Sequence, residues 1–348
     1  MKKKNLIVQA KLKKNRNLIQ DKKIQNIYRI FRDNLFKNIK KEKFCIGVSG
    51  GPDSLTLAYL SKIYCKEFKT KFTTLIINHN LRKESTNEAK KIKSLLLKKN
   101  ISSKILIWKG TIPKTGIQHK AREIRYNLLL KECYKLKINY LVLGHHVDDL
   151  VENFFIRLFR GSGLRGLSSF NVVSLTDKNN IKIIRPLISI KKKELINIAK
   201  KVYGFFIIDP SNFKEIFLRT RIRNYINNFK REGFDLNKVK LTINNLQTSE
   251  KSLNHYYQKA INKHVRYINI NKCLISNKLF TNESDEIIFR IIGNVIAKIG
   301  NSYYPPRGKD LKNLIVKIKS DLHLKVTLGK CIIEKVNNSY LIKKEHNV

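Results

Sequence analysis

Apolar positions recur along this chain with two periods, one helical and one extended. Ile24, Ile27, Phe31, Leu35 and Ile39 keep helical spacing between Lys22 and Lys41, which predicts a helix with one buried stripe. Phe44-Cys45-Ile46-Gly47-Val48 is a short unbroken apolar run, the mark of a buried strand. Ser49-Gly50-Gly51-Pro52-Asp53-Ser54 interrupts it as a turn, and Leu55, Leu57, Ala58, Leu60 and Ile63 resume helical spacing. Phe72 to Asn78 predicts a second strand, with a helix following through Leu97, and Ile101 to Trp108 alternates as a third strand. Gln118 to Leu136 predicts a helix carrying Arg122 and Arg125. Tyr140-Leu141-Val142-Leu143 and Ile181 to Ile184 predict the fourth and fifth strands.

Strands alternating with helices imply an α/β fold with a doubly wound, parallel, five-stranded sheet. Ligands on such sheets bind beyond the carboxyl ends of the strands, which is where the turns rich in polar residues fall. After about Lys230 the pattern changes. Leu236 to His264 reads as one long helix or a helical pair, and Glu286 to Ile299 is helical. Pro305-Pro306 starts a new segment, and Leu324–Leu328, Cys331–Lys335 and Tyr340–Ile342 read as short strands. The expected division is a basic, mobile arm over 1–21, an α/β domain over 22–230 and a smaller C-terminal α+β domain over 231–348, with no internal repeat.

Charge changes this picture most. Among 348 residues there are 72 Lys and Arg against 26 Asp and Glu, a formal net charge of +46. The excess points to a polyanionic partner, nucleic acid first, although the abundance of Lys, Asn and Ile also suits a compositional drift. No run approaches the ~18 apolar residues of a membrane span, and the apolar stretch behind Met1-Lys2-Lys3-Lys4 is too short for a signal peptide. Cys45, Cys65, Cys133, Cys273 and Cys331 form no CxxC pair. Their spacing argues for reduced thiols in a cytoplasmic protein rather than a metal or disulfide framework.

The first candidate for chemistry is the Ser49–Ser54 turn. A helix N-terminus offers free N–H groups and the positive end of a dipole, which suit a phosphate. Gly50 and Gly51 let backbone approach an anion closely. Asp53 repels a phosphate unless a cation lies between them, which suggests Mg²⁺. No GxxxxGK[ST] loop occurs. Ser-Gly-Gly-x-Asp-Ser resembles instead the PP-loop of ATP pyrophosphatases, which cut ATP between the α- and β-phosphates and adenylate an oxygen of the substrate.

Gly144-His145-His146-Val147-Asp148-Asp149 opens a second helix. Val147, Val151, Phe154 and Leu158 form its expected buried stripe, and His145, Asp149 and Glu152 form a second stripe. Such carboxylates can hold Mg²⁺, orient an amine or take its proton; a transition-metal cluster and a plain acidic cap stay open as readings. Arg160-Gly161-Ser162-Gly163-Leu164-Arg165-Gly166 contains GxGxxG but follows a helix, so it reads as a basic loop rather than a dinucleotide fingerprint. Arg219, Arg221 and Arg223 line one face of an extended chain or spread around a helix, and in either form suit phosphates.

Together these pieces resemble the tRNA(Ile)-lysidine synthetase family of bacterial PP-loop enzymes, over roughly Lys41 to Cys331. The resemblance rests on Ser49–Ser54, His79-Asn80-Leu81-Arg82, Ala121–Tyr126 and Gly144–Asp149 with Glu152. It continues through Arg160–Gly163, Arg185-Pro186-Leu187, Asp209-Pro210-Ser211-Asn212, Arg219–Arg223, Pro306-Arg307 and Thr327–Cys331. Leu150, Asn153 and Asn78 stand where the family usually has Gln, Thr and Asp. The chain is short for the family, so a further C-terminal domain of longer members is expected to be missing.

The resemblance implies an adenine nucleotide alpha-hydrolase-like fold and a C-terminal domain that binds tRNA. It implies ATP-dependent attachment of free lysine to carbon 2 of the wobble cytidine in the CAU anticodon of isoleucine tRNA. Ser49, Gly50, Gly51, Pro52, Asp53 and Ser54 then bind ATP, and Asp53 with Asp149 holds Mg²⁺. Asp149 and Glu152 receive the lysine amine, and Arg122 steadies the adenylate. His145, Arg160, Arg219, Arg221 and Arg223 meet the substrate or tRNA. A tRNA sulfurtransferase or an amide-forming ligase of the same superfamily, and a non-catalytic tRNA-binding protein, are the alternatives. The oligomeric state stays open, a homodimer being one option.

Overall fold

A computed structural model describes residues 6–9, 21–80, 84–110, 117–175, 180–208, 218–302, 304–320 and 324–345. In chain order the first elements are β1 (Leu6–Gln9), α1 (Lys22–Ile39), β2 (Phe44–Val48), α2 (Pro52–Phe68), β3 (Phe72–Asn78), α3 (Ser85–Leu97), β4 (Ser103–Ile107) and α4 (Ile117–Lys135). They continue with β5 (Tyr140–Val142), α5 (Val147–Leu158), α6 (Leu164–Leu167), β6 (Val173–Leu175), β7 (Lys182–Ile184), α7 (Lys192–Tyr203), β8 (Phe205–Ile208) and α8 (Leu218–Phe229). The rest are α9 (Leu236–His264), β9 (Val265–Asn269), β10 (Lys272–Ser276), α10 (Lys278–Asn282), α11 (Asp285–Ile299), α12 (Gly308–Ser320), β11 (Lys325–Leu328), β12 (Cys331–Val336) and β13 (Ser339–Lys344).

The main sheet runs β4-β3-β2-β5-β7-β6. The first five strands are parallel, as the alternating pattern predicts, and β6 adds a sixth, antiparallel edge through Val173↔Ile184. Strand residues alternate between two cores, which is why nearly every strand position is apolar. Phe44, Ile46 and Val48 of β2 face a core made with α1, α2, α3 and α7, while Cys45 faces Leu129 and Cys133 of α4. Ile24, Ile27, Phe31, Leu35 and Ile39 are the buried stripe of α1, as their spacing requires.

Part of the segment expected to be a mobile arm is a strand, since Leu6–Gln9 pairs antiparallel with Phe205–Ile208. The chain packs as two compact units divided between Asn244 and Asn245, inside α9 rather than near residue 230. The second unit carries an antiparallel sheet, β11-β12-β13-β10-β9, over a core of Ile288, Ile291, Val295 and Ile296 from α11 with Leu311 and Leu314 from α12. All five cysteines are free thiols. No helix among the described residues is long and apolar enough to cross a membrane.

Candidate active site

Strand order places the site. β2 is flanked by β3 on one side and β5 on the other, so its two neighbours lead away in opposite directions and a crevice opens between the carboxyl ends of β2 and β5. The turn after β2 and the loop into α5 both enter that crevice.

The turn after β2 is built around Ser54. Its Oγ accepts the Ser49 N–H at 3.2 Å and donates to the Gly51 carbonyl at 3.0 Å. Gly50 has φ 83°, and a Cβ there would lie 2.4 Å from Ile92, so the position needs glycine. Gly51 caps α2 without a side-chain hydrogen bond, and Pro52 begins the helix. The first N–H groups of α2 therefore have no side-chain cap, as an anion cradle requires. Asp53 lies in that first turn, and its Oδ1 is buried with no hydrogen-bond partner.

The β5 loop closes on α2 at Gly144. A Cβ at this position would sit 3.0 Å from the Asp53 carbonyl oxygen. That approach carries His146 into contact with three carboxylates. Its Nε2 is 3.5 Å from Asp53 Oδ2 and 3.4 Å from Asp149 Oδ2, and its Nδ1 is 3.4 Å from Asp148 Oδ2. Burial alone would push the ring toward its neutral form, but Asp149, Asp148 and Asp53 together hold its pKa up to about 10. His146 is thus the cation that links the PP-loop to α5. Asp148, expected to be a helix cap, also accepts the Lys192 N–H at 3.3 Å.

Glu152, on the second stripe of α5, is buried. Its side chain is 3% exposed, and a buried carboxylate must be paired. α8 supplies the partners. Arg219 Nε donates to Glu152 Oε2 at 2.7 Å, Arg223 Nε to Oε1 at 2.6 Å, and Arg219 Nη2 to Asp149 Oδ1 at 2.9 Å. Arg219 and Arg223 stand one helical turn apart and share a face, whereas Arg221 points away and is exposed. Asp149 also accepts the His146 N–H at 3.1 Å. Burial opposes its charge, yet His146 and Arg219 hold its carboxyl far below the usual range.

A second ring of cations surrounds these acids. Arg122 of α4 donates to the Tyr126 hydroxyl at 3.4 Å and lies over that ring at 5.2 Å. Arg185, at the end of β7, is buried. It donates to the Asn171 carbonyl and Ser174 Oγ, lies 4.7 Å over the Phe170 ring, and has no partner for Nε. Burial lowers the His145 pKa well below its ordinary value, and Arg185, Arg122 and Arg219 lower it further against the pull of Asp149. His145 is therefore a neutral ring, edge-on to Phe170 at 5.2 Å.

The structure brings Asp53, His145, Asp149, Glu152, Arg122, Arg219 and Arg223 to one end of the sheet. Arg160 and Arg221 are exposed, and among the described residues neither forms an ion pair with the acids of this cluster. Leu158, expected in the buried stripe of α5, is 44% exposed because the helix outruns its partner there. Leu81, Arg82 and Asp209–Asn212 lie outside the described residues. His146, Arg185, Tyr126 and Gly144 enter from the sequence only as letters of motifs, without a role of their own in the site. For His146 the signal was its place at a strand end, with only Val147 between it and two aspartates. The departures from the family pattern are each accommodated. Leu150 packs with Phe170, Ile188 and Ile243. Asn153 accepts from Arg157 at 2.9 Å. Asn78 is held by Thr86 and the Asn80 N–H.

Mg²⁺ fits this donor set through Asp53, whose Oδ1 is unpartnered. Asp149 is already engaged by Arg219 and His146. No three His, Cys, Asp or Glu side chains converge as a metal site among the described residues. That suits an ion whose other ligands are phosphates and water.

Known proteins agree with this arrangement. A PP-loop domain family matches residues 22–230. The tRNA(Ile)-lysidine synthase of Orientia tsutsugamushi is 34% identical over 310 residues, covering 87% of this chain and 70% of that protein. The tRNA(Ile)-lysidine synthase of Wolbachia pipientis is 32% identical over 322 residues, covering 89% and 74%. The U34-tRNA thiolase NcsA of Methanococcus maripaludis aligns over 66% of this chain and 78% of its own, with a TM-score of 0.54 and 20% identity, a likeness of fold alone. From the identity and coverage of these relatives, the chain belongs to the tRNA(Ile)-lysidine synthase family.

Proposed function

We propose that this protein joins free lysine to the wobble cytidine of isoleucine tRNA with a CAU anticodon, at the expense of ATP. As a member of a PP-loop family it uses ATP. Oxygen 2 of the cytidine attacks the α-phosphorus and pyrophosphate leaves. The ε-amine of lysine then attacks carbon 2, gives up a proton, and the carbon–oxygen bond to AMP breaks. The observation that carries the reading is the contact between the PP-loop and α5 through His146, which sets a phosphate cradle beside an ionised carboxylate.

Each group has a part that follows from its surroundings. The uncapped N–H groups of α2, with Ser49 and Ser54, bind the departing pyrophosphate. Mg²⁺ held by Asp53 would offset charge on the triphosphate. Asp149 stays ionised, the form that attracts the lysine ammonium and orients its amine. Glu152, with both oxygens on arginines, acts by aiming Arg219 and Arg223 rather than by meeting lysine itself. Arg122 and Arg185 offer positive charge to the adenylate. The cytosine must leave its stack to reach the α-phosphate, and an unpaired loop makes that inexpensive. The charge of +46 supplies a salt-dependent grip on tRNA. A cytoplasmic location accords with that substrate.

A sulfurtransferase reading lacks a thiol in the right place, because Cys45, the cysteine nearest the PP-loop in sequence, is buried in β2. The test is incubation with ATP, Mg²⁺, CAU-anticodon isoleucine tRNA and labelled lysine, followed by nucleoside analysis. The expected result is label in the wobble nucleoside. Sulfur incorporation without lysine would replace this reading with the other.

A further inference from the structure

The apolar seam between α5 and α8 stays open at its far end. Val151, Ile222 and Ile226 are buried in it, with Phe155 and Phe234 against them. Ring contacts continue outward. Phe155 lies 6.0 Å from Phe159 and 5.8 Å from Phe234, and Phe234 lies 6.3 Å from Phe229. The outer rings Phe159 and Phe229 are 60% and 45% exposed, and Tyr225, one turn before Phe229 on α8, is 51% exposed.

What surrounds these rings is one-sided in charge. Residues 153–170 and 218–231 carry arginines and no Asp or Glu, and the nearest acids in sequence beyond Arg231 are Glu232 and Asp235. Arg160 follows Phe159 directly, Arg231 comes two residues after Phe229, and Arg221 precedes Tyr225; all three arginines are exposed. A single exposed aromatic needs no explanation. Connected rings with arginines in excess over acids are the composition of a platform for single-stranded nucleic acid. A duplex presents phosphates but hides its base faces, whereas a loop presents both. A second copy of this chain would bring like charge against like, which disfavours it as the occupant.

The position is also suited. Helix α5 runs from Asp149 in its first turn to its cap at Phe159, about 15 Å along the axis. A loop that delivers its wobble base to the sheet edge must unstack the neighbouring bases, and those bases then lack a partner.

We propose that Phe159, Phe229 and Tyr225 form a stacking platform for the unpaired anticodon-loop bases that flank the wobble nucleotide, with Arg160, Arg221 and Arg231 on the adjoining phosphates. This rests on the tRNA reading of the site. The test uses the full chain and an RNA stem–loop with a CAU anticodon carrying 2-aminopurine beside the wobble position. A blunt duplex of the stem alone serves as control. Binding quenches the 2-aminopurine fluorescence. Phe159→Ala and Phe229→Ala each weaken stem–loop binding by about 5- to 150-fold, leave duplex binding and the KM for ATP unchanged, and keep the parent melting temperature. Phe159→Tyr and Phe229→Tyr retain binding.

Alanine variants that bind the stem–loop as the parent does, or that lose duplex binding equally, overturn the platform. So does a parent that sediments as a dimer which the alanine variants split. If lysine enters tRNA and the alanine variants keep the parent KM for tRNA, the platform fails while the lysine reading stands. If no lysine enters with the parent, the lysine reading fails and the stem–loop titration still decides the platform.

Discussion

Each of the two units contains an ion cluster built around one buried charge, and the two central charges are opposite in sign. In the first, one carboxylate, Glu152, holds two arginines, Arg219 and Arg223. In the second, one arginine, Arg290, holds two carboxylates, donating to Glu250 through Nη1 and Nη2 at 2.7 and 2.8 Å and to Glu286 through Nε at 2.7 Å. The clusters share their chemistry but differ in what surrounds them. At the same end of the sheet as Glu152 lie Asp53 Oδ1, His145 Nδ1 and Arg185 Nε, all buried and without partners; among the described residues no such atom lies in the second unit. The Arg290 cluster is complete, tying α9 to α11. The comparison teaches that a buried charge is not in itself a site. Unsatisfied polar atoms at a strand edge, beside uncapped N–H groups, are what leave work for a ligand.

Breaking the first region at its unsatisfied atom should have the largest effect. Asp53→Ala is expected to lower pyrophosphate release by at least about 10²- to 10³-fold while tRNA binding stays near the parent value. Release at the parent rate would remove Asp53 from the account. Next come the two clusters themselves. The centres are buried but their partners are partly exposed, so Glu152→Gln and Arg290→Met should each destabilise by about 1–3 kcal/mol in urea titrations. Only Glu152→Gln should also raise the KM for lysine and ATP, because it releases Arg219 and Arg223. A KM change in Arg290→Met would erase the distinction between the regions.

Smaller effects sharpen the contact between loop and helix. Gly144→Ala places a Cβ 3.0 Å from the Asp53 carbonyl oxygen, and overpacking of this kind costs about 1–3 kcal/mol. Its adenylation rate should fall more than its tRNA affinity, as a rapid-quench assay can resolve. Finally, the folded His146 pKa of about 10 lies above its ordinary 6.5. Its imidazolium therefore contributes fully below pH 6.5, and the contribution is lost progressively as pH rises through about 10. The slope is at most about 1.4 kcal/mol per pH unit. His146→Gln should flatten that alkaline decline in urea midpoints measured without nucleotide; an unchanged slope would show that another group titrates.

Much of the first unit was legible because its signals are local. The apolar runs of β2 and β3 and the spacing of Ile24 through Ile39 depend only on burial and period. The glycine turn is a backbone requirement that the chain states directly. Non-local pairings were not legible. Leu6–Gln9 is apolar enough for a strand, but its partner Phe205–Ile208 is far away in sequence. The antiparallel β6 has three residues, too few to show a period. The burial of Glu152 was not legible for a related reason. A glutamate on a helix defaults to solvent, and only the arrival of Arg219 and Arg223 from α8 makes its burial affordable. Arg185 looked like part of a motif, and its burial against Phe170 depends on how β7 meets the loop before β6.

The central claim is that the PP-loop and the α5–α8 cluster form one site that runs two successive half-reactions. It is tested most directly with ATP labelled at the α-phosphate, incubated with the enzyme and CAU-anticodon isoleucine tRNA in the absence of lysine. The account predicts label that travels with the tRNA and is released as AMP when lysine is added. With Asp149→Asn, label on the tRNA should persist through the lysine chase. Label that never joins the tRNA, or that lysine fails to displace from the parent enzyme, would contradict it.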